Sequence, residues 1–221
     1  MARLNRAERD VRNRTALIAA AEEVFAARGI AGASLDEVAE RADLTKGALY
    51  TRFTGKGDLI LAVIEHRLQH DPDARTFAAI LHDPDATAHE RFERWITQWT
   101  AVFATGARAR FARLLFEFLP YALADTELRE RFAVSVGLAP PPEDRANEFE
   151  ERPAPPSPIP PGSAFAALPI DAQQRIVTAL DIGLAFQSLV DPGRTDPGLY
   201  GTALRLLTAS AHDTPPHDDR A

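Results

Sequence analysis

Residues 34–53 read SLDEVAERADLTKGALYTRF, two short helical patterns separated by a turn. Ser34 can cap the first pattern with its hydroxyl, and Glu37 three residues later has the spacing of a capping box. Leu35, Val38, Ala39 and Ala42 fall on one stripe of a helix, which breaks at Asp43, a residue that tolerates turn geometry. Thr45 caps a second helix whose Leu49 and Phe53 face inward, four residues apart. Helices over 34–42 and 45–53, joined by so tight a turn, have the spacing of a helix-turn-helix.

The surrounding sequence is helical too. Upstream, Leu17, Ile18, Ala21, Val24 and Phe25 form the apolar stripe of a helix over 12–28, and Gly29 supplies a left-handed C-terminal cap. Downstream, Thr54 and Gly55 break the chain before a long helix over 56–69. Helical periodicity continues over 73–82, 85–105, 107–124 and 126–136, with no competing period-two alternation. Nine of the seventeen prolines fall in 138–162, which removes backbone donors and predicts a mobile or polyproline-like segment there. Helices over 171–190 and 196–211 follow, and a polar tail, 212–221, is expected to be disordered. The expected fold is all-α: a helix-turn-helix domain over 1–58, a helical domain over 59–211, and the tail.

A 45% hydrophobic chain of 221 residues can fill two modest cores. The absence of cysteine excludes disulfides, thiolate zinc sites and thiol nucleophiles, and fits a reducing compartment. No apolar run approaches the ~18 residues of a membrane span. Arg3, Arg6, Arg9, Arg12 and Arg14 ahead of the apolar residues 16–21 imitate an export signal, but Glu22 and Glu23 interrupt it, so the expected location is cytoplasmic. The net charge of −7 divides unevenly: residues 1–58 carry +1 and the remainder −8, and both lysines, Lys46 and Lys56, lie in the first part.

The second helix of the motif suits DNA. Between Thr45 and Lys56 there is no acidic residue, and the positions expected to face solvent are Lys46, Gly47, Ala48, Tyr50, Thr51 and Arg52. Small residues let a helix approach base edges, while lysine, arginine, threonine and tyrosine donate to phosphates and bases. Periodicity alone equally fits a small helical subdomain whose charges form a solvated face.

Residues 14–59 resemble the DNA-binding domain of the tetracycline-repressor (TetR) family, through Ala21, Phe25, Gly29, Ser34, Val38–Ala39, Ala42, Lys46–Gly47, Leu49–Tyr50, Phe53, Lys56 and Leu59. The resemblance implies that Ser34 binds a phosphate, that Thr45, Lys46, Gly47 and Ala48 approach bases and backbone, and that Tyr50 and Lys56 grip phosphates. Thr51 and Arg52 complete the candidate DNA-binding set. Three departures bear on operator sequence: Asp43 in place of the usual turn glycine, Ala48 in place of a common threonine, and Arg52 in place of a common histidine.

The same resemblance implies a homodimer on a palindromic operator, released by a small apolar or aromatic effector. The dimer face would comprise Gly183, Leu184, Gln187, Leu199, Ala203 and Leu206, with Ala185, Leu189 and Leu207 beside them. Trp99, Phe103, Phe118, Tyr121 and Gln187 are candidates to line the effector cavity, although an aromatic stripe at helical spacing is more often plain core. The helix over 56–69, through Leu59, Val63 and His66, is expected to join the two domains. His66 and His70 are spaced for a shared metal, but no third ligand is near in sequence, and histidines also suit a helix C-terminus. No metal or cofactor is expected, nor any catalytic constellation, since nucleophile motifs and phosphate-loop spacing are absent. The rival reading is a helical protein-interaction or small-molecule-binding module that does not bind DNA.

Overall fold

A computed structural model describes residues 5–140 and 157–209, and the described residues form ten helices and no strand. They are α1 (Arg6–Gly32), α2 (Leu35–Arg41), α3 (Lys46–Tyr50), α4 (Lys56–Gln69), α5 (Ala74–Leu81), α6 (Ala88–Ala104), α7 (Ala107–Ala124) and α8 (Thr126–Ser135). After the undescribed stretch come α9 (Ile170–Val190) and α10 (Gly198–Thr208). The all-α expectation holds. The expected tail, 212–221, and most of the proline-rich segment lie outside the described residues. In the described part of the segment expected to be mobile or polyproline-like, the Ile159 side chain is buried and its N–H donates to Ser157 Oγ at 3.2 Å.

The chain divides into two compact units, Met1–Asp71 with Leu114–Val136, and Pro72–Arg113 with Gly137–Ala221. This differs from a boundary at residue 58, because α4 is a core element of the first unit. Leu59, Ile60, Leu61, Val63 and Ile64 are almost wholly buried, and α4 packs on α1 and α8. Gly57 makes that packing close: a Cβ there would lie 2.7 Å from Leu128 Cδ1 and 3.3 Å from Tyr121 Cβ. Asp58 accepts the Thr54 N–H at 3.0 Å and pairs with Arg131 of α8 at 2.9 Å. Arg131 also reaches Glu65, at 3.5 Å. Burial works against the Arg131 charge, but the Asp58 hydrogen bond and the two carboxylates outweigh it and hold the guanidinium above its ordinary pKa.

α1 begins six residues earlier than the expected position 12, because Asn5 and Glu8 form a reciprocal capping box. Gly29 does adopt the left-handed region (φ 70°), but as a break after which one more helical turn follows. The break frees the Ile30 N–H from its intrahelical acceptor, and Glu117 of α7 accepts it at 2.9 Å.

In the second unit, α6 packs on α5 and α10, and α10 packs on α9. Gly201 sets the approach of α10 to α6, since a Cβ there would fall 2.4 Å from Ile96 Cγ2. Arg205 spans the same contact with a bidentate pair to Glu93, at 2.6–3.1 Å. The segment before α9 is tied down by Gln173, whose amide donates to the carbonyls of Ala166 and Leu168 at 3.2 and 2.8 Å.

Candidate nucleic-acid interface

The turn between α2 and α3 is built by local hydrogen bonds. Ser34 Oγ accepts from the Glu37 N–H at 3.1 Å, so the cap forms. The reciprocal half of the expected capping box does not, because the Glu37 carboxylate pairs instead with Arg28 at 2.9 Å. At the far end of α2 the Leu44 N–H donates to Ala39 O (2.9 Å) and the Asp43 N–H to Glu40 O (3.0 Å), the paired bonds of a Schellman motif. That motif needs a left-handed residue, and Asp43 supplies it at φ 56°, the one non-glycine with positive φ among the described residues. Thr45 then caps α3, accepting the Ala48 N–H at 3.1 Å.

Leu49 and Phe53 are buried and hold α3 to the unit, with the Arg14 guanidinium over the Phe53 ring at 4.8 Å. Thr45, Lys46, Gly47, Tyr50 and Thr51 are exposed, as is Ser34, while Ala48 is half-buried. Tyr50 presents half of its surface to solvent, unusual for so large a ring. Lys56 begins α4 and donates to Ala33 O at 2.7 Å. An ammonium has three donors, so that bond fixes its position and still leaves capacity for an anion.

Two expectations about this face need correction. Arg52 does not face solvent: its side chain is 15% exposed, donates to Ala48 O at 2.7 Å and Thr51 Oγ1 at 2.9 Å, and pairs with Asp10 of α1. The face is also not free of acids, since Lys46 pairs with Asp36 of α2 at 2.7 Å. The Asp36 hydrogen bond and charge raise the Lys46 pKa, so the ammonium stays protonated. Scanning 45–56 for acids missed both partners because they come from other helices. It also missed Arg6, Arg9 and Arg12, which lie exposed on the first turns of α1, the helix that Asp10 links to α3. The Asn-x-x-Glu spacing at Asn5 was the available signal for that early helix start.

The residues expected to line an effector cavity are divided between the two units. Phe118 and Tyr121 belong to the first unit, where Phe118 meets Phe132 edge-on at 5.1 Å. Trp99 and Phe103 are buried in the second unit, with Trp99 stacked on Tyr200 at 3.6 Å and on Phe103 at 5.2 Å. Gln187 is exposed on α9. Phe118 is buried like Trp99 and Phe103, while Tyr121 is half-buried. The second unit does contain a cavity of about 620 Å³, between α5, α6, residues 157–159 and the start of α9. Phe77, Leu81, Trp95, Ile159, Ile170 and Val177 give it an apolar lining.

On the expected dimer face, Gln187, Leu199 and Leu206 are exposed, Gly183 and Ala203 are half-buried, and Leu207 is 39% exposed. Leu184 and Ala185 turn inward and are buried within the protomer, a correction that follows from their position one turn on from the inward-facing Asp181. Phe186, not expected at this face, is half exposed. His66 lies 3.7 Å from Glu22, and His70 Nδ1 lies 2.9 Å from His66 O. Among the described residues no helix is long and apolar enough to cross a membrane.

Residues 17–63 match the model of the bacterial regulatory proteins, tetR family. The chain is 44% identical over 70 residues to the HTH-type transcriptional regulator SrpR of Pseudomonas putida, a match covering 32% of each. It is 45% identical over 71 residues to TtgW, an uncharacterized HTH-type regulator also from Pseudomonas putida, covering 32% of this chain and 51% of that one. It is 44% identical over 66 residues to the HTH-type transcriptional activator FasR of Mycolicibacterium smegmatis, covering 30% of each. The chain thus matches about a third to a half of the length of these relatives. Among solved structures, a putative TetR-family regulator from Rhodococcus sp. aligns at 20% identity with a TM-score of 0.57, covering 90% of this chain and 100% of that one. Reduced Escherichia coli NemR aligns at 15% identity and a TM-score of 0.56, covering 90% and 97%. At these identities the structural likeness establishes the fold.

Proposed function

We propose that the chain, whose residues 17–63 match the model of the bacterial regulatory proteins, tetR family, is a cytoplasmic, homodimeric transcriptional repressor that reads a palindromic operator. One observation carries this reading: a short capped helix, α3, presents Thr45, Lys46, Gly47, Tyr50 and Thr51 to solvent, while Leu49 and Phe53 anchor it from behind. Gly47 and Ala48 allow close approach to base edges, and Ser34 and Lys56 flank the helix as phosphate contacts. The Asp36 carboxylate on Lys46 is compatible with this, since an exposed ion pair is weak and DNA can take the carboxylate's place.

Two copies would join through α9 and α10, whose exposed Leu199, Leu206, Leu207 and Phe186 supply apolar surface. Adjacent recognition helices would then enter the major groove about 34–36 Å apart, one turn of DNA. The cavity in the second unit is of the size that small-molecule sites have, and an effector held there would shift operator affinity by preferring one of two states.

Selection from a random duplex library at fixed salt tests the reading. A palindrome is expected to be enriched, and no enrichment by folded protein would overturn sequence-specific binding. With that operator in hand, Lys56→Ala is expected to weaken binding alike on all sequences and to lower the salt slope, whereas changes at Lys46, Ala48 or Thr51 change sequence preference.

A further inference from the structure

Four buried side-chain nitrogen or oxygen atoms among the described residues have no hydrogen-bond partner, and three of them sit in one cluster of the second unit: Arg108 Nε, Asp181 Oδ1 and Tyr200 OH. Buried polar atoms are almost always paired, so such a concentration calls for a missing partner. The cluster is tight. Arg108 Nη1 lies 3.8 Å from Asp181 Oδ2, the Arg108 guanidinium sits 5.7 Å from the centre of the Trp99 ring, and Trp99 stacks on Tyr200 at 3.6 Å. Tyr200 is wholly buried. Burial first, and then the Asp181 charge, raise its pKa, so the hydroxyl keeps its proton and can donate.

The unused valences define the partner. Arg108 Nε–H and Tyr200 O–H offer two donors, and Asp181 Oδ1 offers one acceptor. A hydroxyl has two lone pairs and one proton, which matches that set. A carboxylate brings no proton for Asp181 and repels its charge. An ammonium has no lone pair and repels Arg108.

The cluster also has a place relative to the cavity. Val177 and Trp95 line the cavity, and Asp181 and Trp99 are the residues one helical turn further along α9 and α6. Trp95 itself lies 5.9 Å from the Tyr200 ring, centre to centre. We propose that Arg108, Asp181 and Tyr200 are the polar anchor of the small-molecule site, and that the site takes a neutral, hydroxyl-bearing ligand whose apolar body fills the 620 Å³ cavity. This rests on the reading of the second unit as an effector domain, and it names the chemistry of that effector.

Calorimetric titration of the full chain with 4-butylphenol, butylbenzene and 4-butylbenzoate tests it. The phenol is expected to bind at least about tenfold more tightly than the other two, a modest return on hydrogen bonds to charged groups. Tyr200→Phe is expected to remove that preference and Asp181→Asn, which keeps an acceptor oxygen but loses the charge, to reduce it, both leaving butylbenzene affinity unchanged. Tyr200→Phe deletes only an unpaired hydroxyl, so its Tm should be no lower than that of the parent, which guards against misfolding. Equal binding of phenol and butylbenzene, no binding of any probe, or an undiminished phenol preference in both variants would overturn the proposal and leave water as the missing partner. Failure to bind DNA alongside a clear phenol preference would remove the regulatory reading and uphold this site; operator binding without the preference would do the reverse.

Discussion

The helix-turn-helix and the second unit satisfy their polar groups on different scales. In the motif, Ser34 bonds to Glu37 and Thr45 to Ala48, each three residues away, and the Schellman turn closes within six residues. In the second unit, Arg205 reaches Glu93 across 112 residues, and the Arg108, Asp181 and Tyr200 cluster is assembled from α7, α9 and α10. Local closure makes a motif that presents a fixed face in many contexts. Long-range closure makes concave and incompletely satisfied sites, which are the places where a ligand can be read.

Three substitutions probe that contrast, the largest effect first. Phe53→Ala should cost about 3–5 kcal/mol in chemical denaturation, because even a locally capped motif depends on a buried ring for its attachment. A cost below about 1 kcal/mol, the scale of one helix cap, would mean that local bonds alone hold the motif. Gly201→Ala should cost about 1–3 kcal/mol, since β-branched Ile96 cannot swing its Cγ2 away from the new methyl without moving α6 or α10. No loss of stability there would show that this helix contact is adjustable, contrary to the close packing described. Asp43→Gly should raise stability by up to about 1 kcal/mol, relieving a left-handed aspartate at the end of α2. A destabilised variant would show that the aspartate side chain contributes more than its backbone conformation costs.

The same scale separates what could be read along the chain from what could not. α4 was legible from Lys56 to Gln69 because its start and end are marked by neighbouring residues. The caps at Ser34 and Thr45 and the left-handed turn were legible for the same reason, since their donors and acceptors lie within a few positions. Where a distant charge competes, local rules fail. Arg28 draws Glu37 out of the capping box, and Asp10 and Ala48 draw Arg52 away from solvent. The residues expected around an effector were harder still. Trp99 and Phe118 share an aromatic composition, but only folding assigns them to different units, and no periodicity marks Val177 as cavity and Leu184 as core.

On the proposed function, Asp36 beside Lys46 gives the protein a built-in competitor for its own operator. Each time DNA engages Lys46, the Asp36 carboxylate must be released, and added salt weakens the departing contact as well as the arriving one. Binding that exchanges one anion for another should therefore show a shallower salt response than about −0.9 per phosphate contact, the value for DNA-bound cations that start unpaired. On random DNA, where few base contacts reward the exchange, residence should be short. A regulator that lets go of wrong sequences quickly spends less of its time away from the right one.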